Sequence, residues 1–190
     1  MKILALNGSH DKNGNTQFLL EEILKYFRKE DTEIINIYEA VSDAKTPFCI
    51  NCSTPCSRVC YKNTKLEEAF DKVTEADFVI IGSPVYFGSM TAQLKAFFDK
   101  TIHIRGGKMW LGKPIAAVSV GASKYGGQER TVEHIHSCAL VSGMTILGNG
   151  SEIGMGHFGI SAHRPAKEDD FAIKQCESLA NAIKKQINYV

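Results

Sequence analysis

An excess of charge of either sign is the first thing this chain lacks. It carries 22 Lys and Arg against 21 Asp and Glu, a formal net charge of +1 at pH 7. Such a balance excludes the electrostatic footprint of a nucleic-acid surface or of a site for polyanionic substrates. Long apolar runs are missing too. None approaches the ~20 residues that a bilayer requires. The apolar opening Met1–Leu6 enters a polar turn instead of a small-residue cleavage site. The expectation is a cytoplasmic protein with no nucleic-acid and no membrane partner, where its six cysteines are not held in stable disulfides. Internal repeats and low-complexity tracts are absent, and so is any Ser/His/Asp or paired-carboxylate arrangement. What remains is a chain of 190 residues, 44% hydrophobic. That suits one domain, read here as residues 1–190 with a cysteine-rich loop at about 47–63.

Short apolar runs alternate with helical patterns along the chain. Strands are expected at Lys2–Leu6, Glu33–Ile37, Phe78–Gly82, Ile115–Gly121 and Met144–Gly148, rich in Ile and Val as strands buried on both faces are. Helices are expected at Thr16–Glu30, Leu66–Glu75, Thr91–Ile104, Gln128–Ser142 and Glu168–Ile187. The alternation predicts an α/β fold, a doubly wound five-stranded parallel sheet. With a phosphate-type turn after the first strand, the flavodoxin-like order 2-1-3-4-5 fits best.

Ligands of such sheets sit at the carboxyl ends of the strands, and three loops there stand out. The first, Asn7-Gly8-Ser9 to Asn15-Thr16, joins a strand to a helix start and so aims N–H groups at one spot beside the positive end of a helix dipole. It follows neither the G-x-G-x-x-G nor the G-x-x-x-x-G-K-[ST] spacing. Hydroxyl and amide side chains replace the glycines and the lysine, which suits a terminal monoester phosphate such as that of FMN. The plain alternative is a capped helix and nothing more. The second loop, Gly82–Met90, holds Pro84, two aromatics (Tyr86 and Phe87) and Gly88. The third, Gly121–Glu129, combines small residues, Tyr125 and a helix start.

Together these residues resemble a known family. GSPVYFGSMTAQLKAFFDK (Gly82–Lys100) is similar to the flavin-ring loop and following helix of the flavodoxin-like NAD(P)H-dependent FMN reductases. NGSHDKNGNTQ (Asn7–Gln17) resembles their phosphate loop and GGQERT (Gly126–Thr131) their third loop. The resemblance implies non-covalent FMN, with NAD(P)H as a transient co-substrate. Carried over by position, Ser9, Asn15, Thr16 and Gln17 would hold the phosphate. Pro84, Val85, Tyr86, Phe87 and Gly88 would line the isoalloxazine through their backbone amides, and Ser123, Tyr125 and Gly126 would close over its other end. No catalytic side chain is implied, because the flavin N5 carries the chemistry. Relatives of this kind are homodimers or homotetramers, so a homo-oligomer is expected. Electrons would come from NAD(P)H or a ferredoxin and go to a quinone, a flavin or a similar acceptor.

Cys49, Cys52, Cys56 and Cys60 narrow the branch, as C-x2-C-x3-C-x3-C within FCINCSTPCSRVC. Four cysteines in twelve residues argue for metal or redox chemistry. The segment resembles the compact cysteine cluster of the iron–sulfur flavoproteins, which implies a [4Fe-4S] cluster exchanging single electrons with FMN. Its gaps depart from the family's, which has two residues between the second and third cysteines and more before the fourth. A structural zinc, free thiols, or a cysteine stripe on one helical face stay open as alternatives. Cys138 and Cys176 fall on helical patterns and read as core. His134 and His136, two apart on a helix, face different sides and make no metal pair. Asn149–Pro165 reads as a glycine-punctuated loop.

Two other functions fit parts of this pattern. A phosphoacceptor receiver shares the sheet order, but needs carboxylates where this chain has Asn7-Gly8-Ser9 and Ser83-Pro84. A non-enzymatic flavodoxin-like electron carrier with a structural zinc or thiol loop is the alternative, and near-neutral charge argues against it.

Overall fold

A computed structural model describes residues 1–151 and 154–189. Its central strands are β1 (Ile3–Asn7), β2 (Thr32–Asn36), β3 (Phe78–Pro84), β4 (Pro114–Gly121) and β5 (Thr145–Ile146). They pair in the order β2-β1-β3-β4-β5, all parallel, as the sequence predicts. Every residue of β1 is buried, as are Phe78–Ser83 of β3 and Ile115–Gly121 of β4. Alternate side chains therefore enter two separate cores. Leu4, Leu6, Val79, Ile81, Ile115 and Ala117 face one, and Ile3, Ala5, Phe78, Ile80, Ala116 and Val118 face the other. A strand with two apolar faces has nowhere to go but the middle of a three-layer sandwich.

The first core is covered by α2 (Ile37–Ser42), α3 (Lys65–Glu75), α4 (Ala92–Asp99) and α6 (Gln128–Val141), with the short α5 (Ile102–Gly106) between the last two. Phe70, Phe97 and Trp110 pack there with ring centroids 5.0–6.0 Å apart. The second core is covered by α1 (Asn15–Leu24) and α7 (Asp170–Gln186).

Several expected boundaries move. The first helix stops at Leu24, not Glu30, because Lys29–Asp31 form a 3-10 turn into β2. Ile37 opens α2 instead of ending β2, since the Asn36 side chain accepts the Glu39 N–H at 3.1 Å and caps a helix there. The helix expected to reach Ile104 breaks after α4, where Lys100 and Thr101 intervene.

The fifth strand differs most. The expected Met144–Gly148 shrinks to two residues, which pair with the start of β4. The chain then leaves the sheet, makes the antiparallel pair β6 (Asn149–Ser151) and β7 (Gly154–His157), and returns as β8 (Ile160–His163). β8 pairs in parallel with Val118–Gly121, so it completes the column that β5 began. Much of the expected loop Asn149–Pro165 is thus strand. Re-entry depends on Gly159, where a Cβ would stand 2.2 Å from the Ala117 carbonyl oxygen.

Candidate flavin and cysteine sites

The carboxyl ends of β1, β3 and β4 bring the three expected loops to one rim of the sheet. Loop one is held by Asn7 from within and by side chains at the end of β2 and the start of α4. Asn7 Oδ1 accepts the Ser9 N–H at 2.8 Å, and Asn36 Nδ2 donates to the Ser9 carbonyl at 3.0 Å. Thr91 Oγ1 and Gln93 Nε2 both donate to the Gly8 carbonyl, at 2.7 and 2.9 Å. These four partners fix the loop backbone before any ligand arrives. Helix α1 then starts on Gly14 with no side-chain cap and no acidic residue in its first turn. The opening N–H groups of a helix need acceptors; α2, α3, α4 and α7 obtain one from a side chain, while α1, the five-residue α5 and α6, which has Glu129 in its first turn, do not. An uncapped α1 is what an anion site requires.

The four expected phosphate residues are not equivalent. Ser9 and Thr16 are buried at this rim, and the Ser9 oxygen accepts the Asp11 N–H at 3.1 Å. The Asn15 side-chain Oδ1 accepts the Ala166 N–H at 2.7 Å, which leaves the side-chain NH2 group for a ligand. Gln17 is engaged at both ends: it accepts from Asn7 Nδ2 at 2.8 Å and donates to Glu21 at 2.9 Å.

Loop two closes as a tight turn. Tyr86 N–H donates to Ser89 O at 2.9 Å and Ser89 N–H returns to Tyr86 O at 3.1 Å, with Phe87 and Gly88 at φ +52° and +71°. Val85 N–H is committed to Val120 O at 2.9 Å. Of the amides expected to face the flavin ring, those of Phe87 and Gly88 therefore remain at the tip, whereas those of Val85 and Tyr86 serve the fold. Phe87 is fully exposed and Pro84 half-buried.

Loop three is tied together by Gln128. Its Oε1 accepts the Gly126 N–H at 2.7 Å, and its Nε2 donates to Ser123 O at 2.6 Å and Ala162 O at 3.2 Å. One buried amide thus joins the loop to β8. Ser123 and Tyr125 lie exposed on the outside of it. Loops two and three then touch. Gly127, at φ +92°, would place a Cβ 3.3 Å from Gly88 Cα, so only glycine meets both demands there.

The cysteine segment forms no helix, which removes the helical stripe from the alternatives. Cys49, Cys52, Cys56 and Cys60 instead line a single cavity of about 210 Å³, with Thr46, Tyr61 and Lys100 among its other walls. None of the four is in a disulfide among the described residues. Among the described residues, no three are arrayed to share one metal ion. The cavity lies against the carboxyl end of α4, whose other end holds Gly8, and shares no lining residue with the three loops.

Comparison with known proteins decides the family. Residues 1–157 match the model of the NADPH-dependent FMN reductases. The chain belongs to the NADPH-dependent FMN reductase family. Among relatives of this reductase, an iron–sulfur flavoprotein of Methanocaldococcus jannaschii is 32% identical over 100% of the chain and 99% of its own length. Another, from Methanosarcina thermophila, is 30% identical over 96% and 93%. The fold is also that of a flavodoxin, WrbA-like protein from Agrobacterium tumefaciens (TM-score 0.71, 14% identity, covering 98% of this chain and 97% of that one). As a member of an FMN reductase family the chain is an oxidoreductase and a flavoprotein. Among the described residues, no helix is long and apolar enough to cross a membrane.

The structure also shows side chains that hold these loops and that the motifs did not single out. In the sequence Gln128 stands as a helix start within GGQERT and Gln93 lies within Gly82–Lys100, while Asn7 opens the phosphate-type loop and Asn36 falls inside the expected strand Glu33–Ile37. Asn and Gln beside a glycine turn are the available signal, since a turn backbone needs side-chain partners. The histidines part as expected. His134 Nδ1 lies 2.8 Å from Ser89 Oγ, while His136 is buried with no partner for its Nε2 among the described residues. Burial lowers the pKa of His136, with Glu133 opposing. Cys176 is buried and desolvation pushes its thiol up to about 12, and Cys138 is raised for the same reason.

Proposed function

We propose that the protein is an FMN-dependent oxidoreductase that takes electrons from NAD(P)H or a ferredoxin, carries a [4Fe-4S] cluster in its cysteine loop, and delivers electrons to a quinone, flavin or similar acceptor. The observation that carries the FMN reading is the uncapped, acid-free start of α1 beside a loop whose backbone is already fixed by Asn7, Asn36, Thr91 and Gln93. Ser9, Asn15, Thr16 and Gln17 would hold the phosphate, with Gln17 acting by aligning Asn7. Pro84–Gly88 would line the ring, with Ser123, Tyr125 and Gly126 at its far end. Bound FMN supplies a ring that takes electrons as a pair and releases them singly or together.

The protein's own part is placement. The Phe87 and Gly88 amides offer hydrogen-bond donors where negative charge would build, and preorganised donors of this kind cost no reorganisation when it does. Phe87 and Tyr125 set exposed rings on either side.

For the cluster, the donor set carries the argument. Four thiols line one cavity to which no Asp or Glu contributes, and soft thiolates suit iron–sulfur clusters. Cys49, Cys52, Cys56 and Cys60 would be its ligands. Phe48, Ile50 and Val59 on this loop are exposed, as are Phe87 and Tyr125 on the flavin loops. Large exposed apolar groups on two separate features favour a homo-oligomer that covers both. A homodimer or homotetramer could also bring one protomer's cysteine cavity near another's flavin rim.

The test is the visible absorption of anaerobically purified protein before and after reduction. Flavin bands on a broad background that fades only partly support the whole reading. Flavin bands that bleach completely remove the cluster. A colourless protein that does not take up added FMN refutes the flavin assignment.

A further inference from the structure

Lys100 is 1% exposed, although it ends a surface helix. Lysine is almost never buried this fully without an ionic partner, because an ammonium out of water is strongly unfavourable unless paired. Here its side chain makes one weak contact, Nζ to the neutral Thr46 Oγ1 at 3.3 Å. Among the described residues, no carboxylate is within ion-pair distance of it. Tyr61, also 1% exposed, has a hydroxyl with no hydrogen-bond partner among the described residues. A buried phenol ordinarily finds one. Both side chains line the cavity that the four cysteines line, and no Asp or Glu does. The walls thus offer a cation and a free O–H donor, and the sulfurs are the groups present that can become anionic.

We propose that Lys100 and Tyr61 form a donor floor that holds anionic sulfur in this cavity, tightening thiolate-bound metal and making a bound cluster easier to reduce. The inference rests on reading the loop as a metal-binding thiolate set. Four thiolates around a divalent metal, or around an oxidised [4Fe-4S] core, leave a net charge of about −2. An added electron makes that −3, so a nearby ammonium favours the reduced form. Lys100 and Tyr61 are positioning residues that would act on the ligand sulfurs from the wall of the shared cavity and leave the ligand set unchanged.

The test compares wild type with Lys100→Met, Lys100→Arg and Tyr61→Phe, using Co²⁺ as the probe on anaerobic apo-protein. Affinity is read from the thiolate-to-cobalt bands against a competing chelator. We expect Lys100→Met to bind Co²⁺ at least tenfold more weakly, Lys100→Arg to recover much of the loss, and Tyr61→Phe to lose less. Apo Lys100→Met should melt above the wild-type apo-protein, since it no longer buries an unpaired charge. A merely structural lysine would show the opposite shift. After reconstitution with iron and sulfide, the cluster's midpoint potential should fall by about 59 mV for a tenfold change in a one-electron equilibrium.

Equal Co²⁺ affinity in wild type and Lys100→Met overturns the proposal, as does a wild type that does not bind Co²⁺ through its thiolates. If the cobalt result holds but iron and sulfide do not assemble, the donor floor stands and the cluster reading falls. If a cluster assembles with Co²⁺ affinity and potential unmoved in Lys100→Met, the cluster reading stands and the donor floor falls.

Discussion

Replacing Gln128 by Met should loosen the flavin rim without emptying the core. The two side chains are close in volume, so the change removes hydrogen bonds and little packing. Three are lost: Gly126 N–H to Oε1 at 2.7 Å, and Nε2 to Ser123 O at 2.6 Å and to Ala162 O at 3.2 Å. At about 0.5–1.5 kcal/mol each, with the longest contributing least, the loss comes to about 2–3 kcal/mol. The Ser123 and Gly126 groups lie at the surface and can turn to water. The cost should therefore fall mainly on the order of the loop and on the buried Ala162 carbonyl.

Urea unfolding should show a lower midpoint with an unchanged slope. FMN titration, followed by quenching of flavin fluorescence, should show about tenfold weaker binding, equivalent to about 1.4 kcal/mol. Gln128→Glu separates the parts, because it keeps the acceptor for Gly126 and loses both donors. It should be destabilised at neutral pH and recover as acid protonates the new carboxyl. A lower midpoint with unchanged FMN affinity would show that loop three lies outside the flavin site. An unchanged midpoint would refute the hydrogen-bond account itself.

Gly159→Ala would drive a methyl into the Ala117 carbonyl, 2.2 Å away, and should cost about 3 kcal/mol or prevent folding, read by thermal melting. Cys176, with its thiol pushed up to about 12, should resist iodoacetamide at pH 8 in the native apo-protein, while the four loop cysteines label, as peptide mass spectrometry will show. Burial lowers the pKa of His136, so the unfolded chain binds a proton that the native one refuses. Its contribution to stability is complete above the ordinary histidine value of ~6.5 and is lost as pH falls toward the folded value. His136→Leu should accordingly flatten the melting temperature between pH 7 and 5; an unchanged slope would reject that assignment.

The sheet order was legible because burial on both faces forces Ile, Val and Leu into short unbroken runs, as in Phe78–Ile81 and Ile115–Val120. The flavin rim was legible because turns advertise themselves in Gly, Pro, Asn and Ser. What escaped follows equally physical lines. Ile160 and Ala162 are buried while Ser161 and His163 between and beyond them are not, a period of two that is short and hidden among glycines. β5 keeps only two residues because the chain must leave the sheet to build the β6–β7 pair, a choice made by tertiary packing. In the sequence Lys100 falls inside the helix expected at Thr91–Ile104, with nothing to mark it as buried. Only the folded chain places it behind the cysteines.

The cysteine segment enters and leaves at nearly the same place. Asp43 accepts the Lys65 N–H at 2.7 Å, and Lys45 N–H donates to Cys60 O at 2.9 Å. A segment pinned at its neck is a cassette. Evolution can swap, shorten or rewrite its contents while α2 and α3 keep their seats, so the spacing of its thiols can drift faster than the order of the strands in the sheet. An engineer has the same freedom. A short Gly-Ser bridge across the neck, leaving Tyr61 in the core, should yield a plain flavin protein, and foreign ligand sets grafted into that gap would inherit a scaffold already built to carry electrons.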